Sequence, residues 1–456
     1  MRFSRILLLL ATTIAVPAQT VVVSISATGL EFSAGDSLAI VQRLDSLLLA
    51  AGDWGSQFSL SGVNRGDDLR LDYSLQTHRR QVDSLVFSDD GEIALAVKRM
   101  LFRHILAAES PGAAESVLSR IRETYPFLNE KTELAWGRYA DDRIAAVIRV
   151  RPDFASSFSG IAGLSREADR DWQLTGQLDL HLENAWRSAG TVDIEWRRKD
   201  ELSQNIALAI EEPHPLSLPI GLTASFRQNL EQGWYVQKEI SAGVVAVLAD
   251  RGQWRLGSER ITVVPTEKGD SAGVTALTSN LLFCSGSGDS RDDRWLPQKG
   301  GTWQFYGAFG ERKTATASRS GRYQLQAAYY FRVLPLLSFH PALRFQGTTV
   351  KQAALHQSEM VKFGGTGSLR GYREDFFQAP WVMLTQLELI YRAGKNLQLL
   401  LFGDIGGQDV YRPLPFGLGL ALVQRSAGTI VEVGYGIGRS DRLAEGKLHV
   451  RLTGRL

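Results

Sequence analysis

The sequence predicts an all-β transmembrane barrel of about sixteen antiparallel strands, preceded by one or two small α+β domains. Three observations carry the prediction. The chain opens with an export leader, no later apolar run approaches the roughly 18 residues of a membrane helix, and residues 153–456 alternate apolar and polar side chains over segments of about ten.

Arg2 and Arg5 precede an apolar run from Ile6 to Val16, and Val16-Pro17-Ala18 places small residues where a signal peptidase reads. Residues 1–18 therefore read as a secretory signal peptide. The 456 residues carry a net charge of +2 with neither a basic block nor an acidic tail, so nothing marks a nucleic-acid partner. One cysteine, Cys284, excludes an internal disulfide. No Cys/His cluster has metal-ligand spacing, and neither a metal nor a cofactor is expected.

A soluble exported domain and a membrane barrel remain, and the alternation separates them. Leu448, Val450, Leu452 and Leu456 share one parity, while Lys447, His449, Arg451, Thr453 and Arg455 share the other. Trp172, Leu174, Leu178, Leu180 and Leu182 likewise alternate with Gln173, Thr175, Gln177, Asp179, His181 and Glu183, and the pattern recurs over 323–332 and 337–346. Soluble strands average about five or six residues and seldom carry a charged face over so many long segments. Apolar-out, polar-in strands of about ten fit lipid outside and water inside. Trp381 and Tyr391 share a parity ten residues apart. On a strand tilted near 45° that spacing spans about 23 Å, the height of a barrel's apolar band between its aromatic girdles.

Strand patterns fall near 154–165, 171–184, 190–198, 202–211, 219–228, 235–248, 252–264, 271–284, 300–310, 320–332, 335–347, 381–392, 396–406, 414–423, 428–438 and 446–456. The count is sixteen, even as single-chain bacterial barrels require. The eighth and ninth border a polar Gly/Ser/Asp stretch, 284–301, that also reads as a long surface loop.

The connection after strand eleven, about 348–380, is the longest in the barrel, and loops of that length without their own structure are functional or disordered. It carries Gly364-Gly365-Thr366-Gly367-Ser368-Leu369-Arg370-Gly371-Tyr372. Strand thirteen carries Phe402-Gly403-Asp404-Ile405-Gly406, with Asp404 on the lumen-facing parity of Gln398. A loop folded into the lumen can bring Arg370 onto Asp404; otherwise Arg370 is a solvated loop charge and Asp404 one lumen acid among many. Gly364, Gly365, Gly367 and Gly371 suit a backbone that turns tightly or approaches a wall closely.

The loop run resembles the signature of an aliphatic residue, Arg-Gly and an aromatic residue in the sixth surface loop of the BamA/TamA superfamily. These are the outer-membrane assembly and translocation barrels of the bacterial surface antigen family, related to FhaC-type two-partner secretion transporters. Phe402, Asp404 and Gly406 are similar to that family's Phe-x-Asp-x-Gly element on strand thirteen. The resemblance covers the C-terminal third in motifs and the first eight strands in pattern. It implies a sixteen-stranded barrel in the bacterial outer membrane, an Arg370–Asp404 pair between Leu369-Arg370-Gly371-Tyr372 and strand thirteen, and no catalytic role. It also implies POTRA domains in the periplasm, unfolded outer-membrane or secreted client proteins, contact with outer-membrane lipid, and accessory periplasmic or lipoprotein subunits.

Residues 79–152 read as a strand at 82–87, helices at 92–105 and 113–124, and strands at 132–138 and 143–151. Ile93, Val97, Met100 and Leu101, then Val117, Leu118 and Ile121, repeat at helical spacing. This order is POTRA-like. Residues 19–78 read as a reduced POTRA-like domain: a strand at 21–25, a helix over 36–50 with an apolar stripe of Leu38, Val41, Leu44 and Leu48, and strands near 58–61 and 69–75.

The resemblance thus implies assembly of client proteins into the outer membrane or their passage across it. Two POTRA-like domains suit a two-partner secretion transporter, whereas no plug helix shows between Gln19 and Val21. The final Leu456 departs from the aromatic terminus of assembly barrels. A passive pore or receptor is a further alternative. So is a barrel hydrolase using Ser338, His340 and Asp404, although the chain has no Gly-x-Ser-x-Gly elbow.

Overall fold

The computed structural model describes residues 21–25, 30–50, 56–65, 68–77, 82–88, 91–108, 111–125, 127–128, 131–140, 143–166, 172–200, 202–215, 218, 220–248, 252–408 and 413–456. The expected signal peptide lies outside them. The described residues form two compact units, one from those up to 89 with 102–119 and 130–150, the other from 90–101, 120–129 and 151–456.

The second unit is dominated by a closed barrel whose strands pair antiparallel in chain order. They are Ser157–Arg166, Trp172–Glu183, Thr191–Asp200, Ser203–Glu212, Gly221–Glu231, Tyr235–Leu248, Gly252–Pro265, Leu277–Asp289, Gly300–Lys313, Ala317–Leu334, Leu337–Val350, Trp381–Arg392, Leu397–Gly407, Phe416–Ser426, Thr429–Gly438 and Lys447–Arg455. Strand one enters from the chain's N-terminal side. Even-to-odd connections therefore lie at that entry end, and odd-to-even ones at the far end.

Polarity is inverted relative to a soluble protein. Leu256, Leu282, Phe309, Leu420 and Leu448 point outward and are exposed, Leu282 at 73%. Inside, Arg322 reaches Glu259 (3.3 Å) and Glu239 (3.5 Å), and Arg255 donates to Glu211 (2.5 Å). No described helix is long and apolar enough to cross a membrane; the apolar outer wall is built of strands.

Most strand bounds fall within three residues of expectation, and strand eight departs most. Of its expected first residues, Ser271 ends the helical turn Glu267–Ser271, whose N-cap Thr266 accepts from the Gly269 amide through Oγ1 (3.1 Å), and 272–276 are irregular, so the strand opens only at Leu277. The strand then runs on to Asp289, so Cys284 lies in the wall and the expected loop shrinks to 290–299. That connection joins an even strand to an odd one, which puts it at the entry end rather than the far end. The small residues that read as loop accommodate an aromatic: a Cβ on Gly288 would lie 2.4 Å from Trp303 Nε1, and one on Gly286 3.1 Å from its ring.

In the first unit, one sheet has the order Leu30–Ala34, Val21–Ile25, Leu69–Thr77, Ser56–Arg65, with Val21–Ile25 parallel to Leu69–Thr77. Strand Leu30–Ala34 was not expected from the sequence. Helix Ser37–Ala50 buries Ile40 and Leu44 against Val23 and Ile25, while Leu38 and Val41 are exposed. The buried face is thus rotated from the expected stripe, because 40, 44 and 47 also recur at helical spacing.

A second sheet sets Val82–Phe87 parallel to Arg143–Arg149, which pairs antiparallel with Glu133–Ala140. Between them in sequence come helix Leu95–Leu101, the tight turn Arg103–Ala107 and helix Pro111–Thr124. The expected single helix over 92–105 therefore breaks after Leu101. Phe102 and Ile105 are fully buried there, with the Phe102 ring 5.9 Å from Phe87.

Candidate functional site: a loop clasped inside the barrel

The connection between strands eleven and twelve does not float above the barrel. It forms the short turn Gln357–Glu359 and a hairpin of Val361–Phe363 with Phe377–Ala379, whose tip is the glycine-rich run. The two hairpin strands stack Phe363 on Phe377 (5.1 Å) and surround Leu369, which is fully buried with Ala379, Val382 and Leu384. Leu369 is thus the apolar anchor that seats the tip.

Arg370 follows the anchor and reaches the wall. Its Nε donates to Asp404 Oδ2 (2.7 Å), its Nη2 to Asp404 Oδ1 (2.6 Å), and its backbone amide also to Oδ2 (3.0 Å). The Asp404 side chain has no solvent exposure. The guanidinium lies 3.8 Å above the Phe402 ring, on the same face of strand thirteen. Its remaining Nη1 donates to Glu388 Oε1 (2.7 Å) on strand twelve, and Glu388 Oε2 meets His340 Nδ1 (2.8 Å), whose ring stacks on Tyr330. Two carboxylates around one guanidinium, with an amide donor added, satisfy the groups that burial would otherwise leave bare.

The other expected residues divide clearly. Tyr372 Oη donates to the Phe416 carbonyl (3.1 Å) and accepts from the Arg439 amide (3.0 Å). Gly371 sits at φ +93°, and a Cβ there would lie 2.5 Å from the Ile437 carbonyl carbon. Gly364 and Gly365 also have left-handed φ, with Glu374 filling the space where a Gly365 side chain would stand. Gly406 lies too close to the Met383 carbonyl for a Cβ. Gly367 faces open space and carries no such constraint.

Three features escaped the sequence reading. Glu388 is one; its isolated acid between Leu387 and Leu389 was its signal. The second is a bare wall: a Cβ on Gly417 would stand 1.8 Å from the Arg370 carbonyl oxygen, one on Gly419 2.3 Å from Phe402, one on Gly436 3.0 Å from the Gly371 amide, and one on Gly438 2.9 Å from Tyr372. Alternate glycines on strands fourteen and fifteen were the mark of that wall. The third lies at the loop's other flank, where Glu359 pairs with Arg312 on strand nine (2.9 Å) and Lys362 Nζ lies 2.7 Å from Glu231 on strand five, a charge contact without hydrogen-bond alignment. The loop is therefore held from strand five to strand fourteen. Beneath it, toward Tyr306, Arg322 and Gln346, a cavity of about 190 Å³ remains, enough for a few waters.

The residues of the hydrolase alternative are not assembled. Asp404 is taken up by Arg370, and His340, although its Nδ1 meets Glu388, makes no hydrogen bond to Ser338 among the described residues, so no nucleophile–base pair is formed. Among the described residues no group of acids, histidines and cysteine could hold a metal ion.

No family model and no curated protein matches the sequence. Solved structures do match the fold. BamA from Haemophilus ducreyi lacking POTRA domains 1–3 aligns at a TM-score of 0.56 and 14% identity, covering 92% of this chain and 94% of that one. CdiB from Acinetobacter baumannii aligns at 0.56 and 13%, over 94% and 83%. CdiB from Escherichia coli aligns at 0.55 and 14%, over 98% and 92%.

Proposed function

We propose that this protein assembles client proteins into the bacterial outer membrane or passes them across it, with POTRA-like domains over 19–78 and 79–152 in the periplasm. The observation that carries the reading is the seam. Strands one and sixteen close the barrel through four registered pairs, Leu452↔Gly160 to Arg455↔Ser157, whereas strands fifteen and sixteen share eight. The rest of the strand-sixteen edge, Lys447 to Arg451, faces no registered partner on strand one. An unpaired backbone edge beside lipid is a place where an incoming strand gains main-chain hydrogen bonds with little demand on its sequence. The fold shared with BamA and CdiB supports this reading, as does the clasped loop, which suits a barrel held shut against free diffusion better than a passive pore.

The partners on this reading are unfolded outer-membrane or secreted proteins, membrane lipid, and accessory periplasmic or lipoprotein subunits. A two-partner secretion transporter serving one exoprotein is the second reading, favoured by the two small α+β sheets ahead of the barrel. The chemistry is strand exchange rather than catalysis.

Site-specific photocrosslinking in living cells tests the proposal, with probes along Leu448 to Leu456 and along Val82 to Phe87. Client polypeptides should be trapped at both places. If only lipid is trapped, and depletion leaves the outer-membrane and surface proteomes unchanged, the proposal fails.

A further inference from the structure

The connection between strands eight and nine is a densely hydrogen-bonded turn at the entry end. At its base the Ser290 amide donates to the Gly301 carbonyl (2.8 Å), and Gly300 sits at φ +84° where a Cβ would stand 1.9 Å from the Ser290 oxygen. Inside it, Asp292 Oδ1 accepts from the Gln298 and Lys299 amides (2.8 and 3.1 Å), and Asp293 Oδ1 from those of Trp295 and Leu296 (2.7 and 3.1 Å). Two aspartates thus fold the segment onto itself, as Asx turns do. Its tip, Leu296-Pro297-Gln298, is buried.

Three charged groups then tie this turn to the walls, two of them distant and one on the neighbouring strand ten. Arg294 grips Glu183 on strand two with both terminal nitrogens (2.6 and 3.2 Å). Arg425 on strand fourteen lies 3.5 Å from Asp293. Arg332 on strand ten donates to Gln298 and lies 3.9 Å from Asp292. In a ring of sixteen strands, two and ten stand on opposite sides. A segment that touches both must cross the bore.

We propose that residues 290–299 form a strap that shuts the lumen at the entry end, independently of the loop clasped from the far end, and that opens when its arginine clasps release. It rests on the reading of the barrel as membrane-spanning, not on the identity of any client. Unlike a passive pore, such a barrel is closed to ions at rest, and any route through the lumen requires the strap to swing.

The test is ionic conductance of the purified full chain in planar lipid bilayers. In a background whose far-end loop is released by Arg370→Ala, adding Arg294→Ala/Arg332→Ala/Arg425→Ala should raise conductance several-fold over that background while retaining the folded, heat-shifted band on gels. A second variant keeps the idea falsifiable if that one folds poorly: Glu183→Cys/Arg294→Cys in a Cys284→Ser background, joined by a short thiol-reactive bridge. Bridging should close the channel, and cleaving the bridge should reopen it. With both tests made in the loop-released Arg370→Ala background, folded variants that conduct no more than that background, or a bridge that leaves conductance unchanged, would overturn the strap. Neither readout involves a client. A strap that behaves as expected beside a barrel that traps no client would refute the assembly reading alone.

Discussion

Arg370 and Asp404, thirty-four residues apart in sequence, meet through three hydrogen bonds of 2.6 to 3.0 Å in a space closed to solvent. The pair is a poor source of net stability, because both charges lose their water, but it is costly to break on one side only.

Removing one partner should therefore cost about 3–5 kcal/mol in loop docking or barrel unfolding, and removing both should cost less than the sum. Urea unfolding of Arg370→Ala, Asp404→Ala and the double variant in vesicles checks this. Arg370→Lys should rescue little, since an ammonium cannot fork onto Asp404 and reach Glu388 at once. Additive single losses would show that the pair does not act as a unit.

The glycine wall makes a sharper comparison. Gly417→Ala places a methyl where the Arg370 carbonyl stands, and Gly371→Ala adds a Cβ at a left-handed residue pressed on Ile437. Both should expose the loop to limited proteolysis between 364 and 376. Gly367→Ala, facing open space, should leave the digestion pattern as in the wild type. Equal patterns for all three would mean that close approach does not hold the loop.

Acid should loosen the loop's first flank. Burial holds His356 below its ordinary value of 6.5, so the docked loop prefers the neutral ring, whose Nδ1 accepts from the Ser358 amide (3.1 Å). The released loop binds the proton more readily. Docking is then at full strength above 6.5 and weakens as pH falls from there toward the depressed value. Amide exchange of residues 354–363 should speed up across that window in the wild type and stay flat in His356→Asn, which keeps an acceptor that does not titrate. A flat wild-type profile refutes the assignment.

At the seam, Ser159→Cys with Thr453→Cys in a Cys284→Ser background joins a registered pair. Oxidation should block client assembly if strands one and sixteen must part, and reduction should restore it. Unimpaired assembly with the disulfide verified by mass spectrometry would remove the seam from the mechanism.

The barrel was legible because each strand must put one parity in lipid and the other in water, so Leu448 to Leu452 and their polar neighbours declare their faces. Strand eight was blurred because Gly286 and Gly288 make room for Trp303, a reason visible only with the neighbouring strand in place. Arg370 and Asp404 could be paired by parity and loop position. Glu388 and the wall of Gly417, Gly419, Gly436 and Gly438 were not, since glycine marks turns far more often than contact surfaces. On helix Ser37–Ala50 two apolar stripes compete, and only the sheet beneath chooses between them.

The glycines of strands fourteen and fifteen leave the loop tip nothing to interlock with. A turn lying on a surface without side chains is fastened at a few points, like a drawbridge on its chains rather than a key in its wards. Its release therefore requires no repacking on that wall, only the parting of a few polar bonds, and those can be undone in sequence by whatever enters from either side.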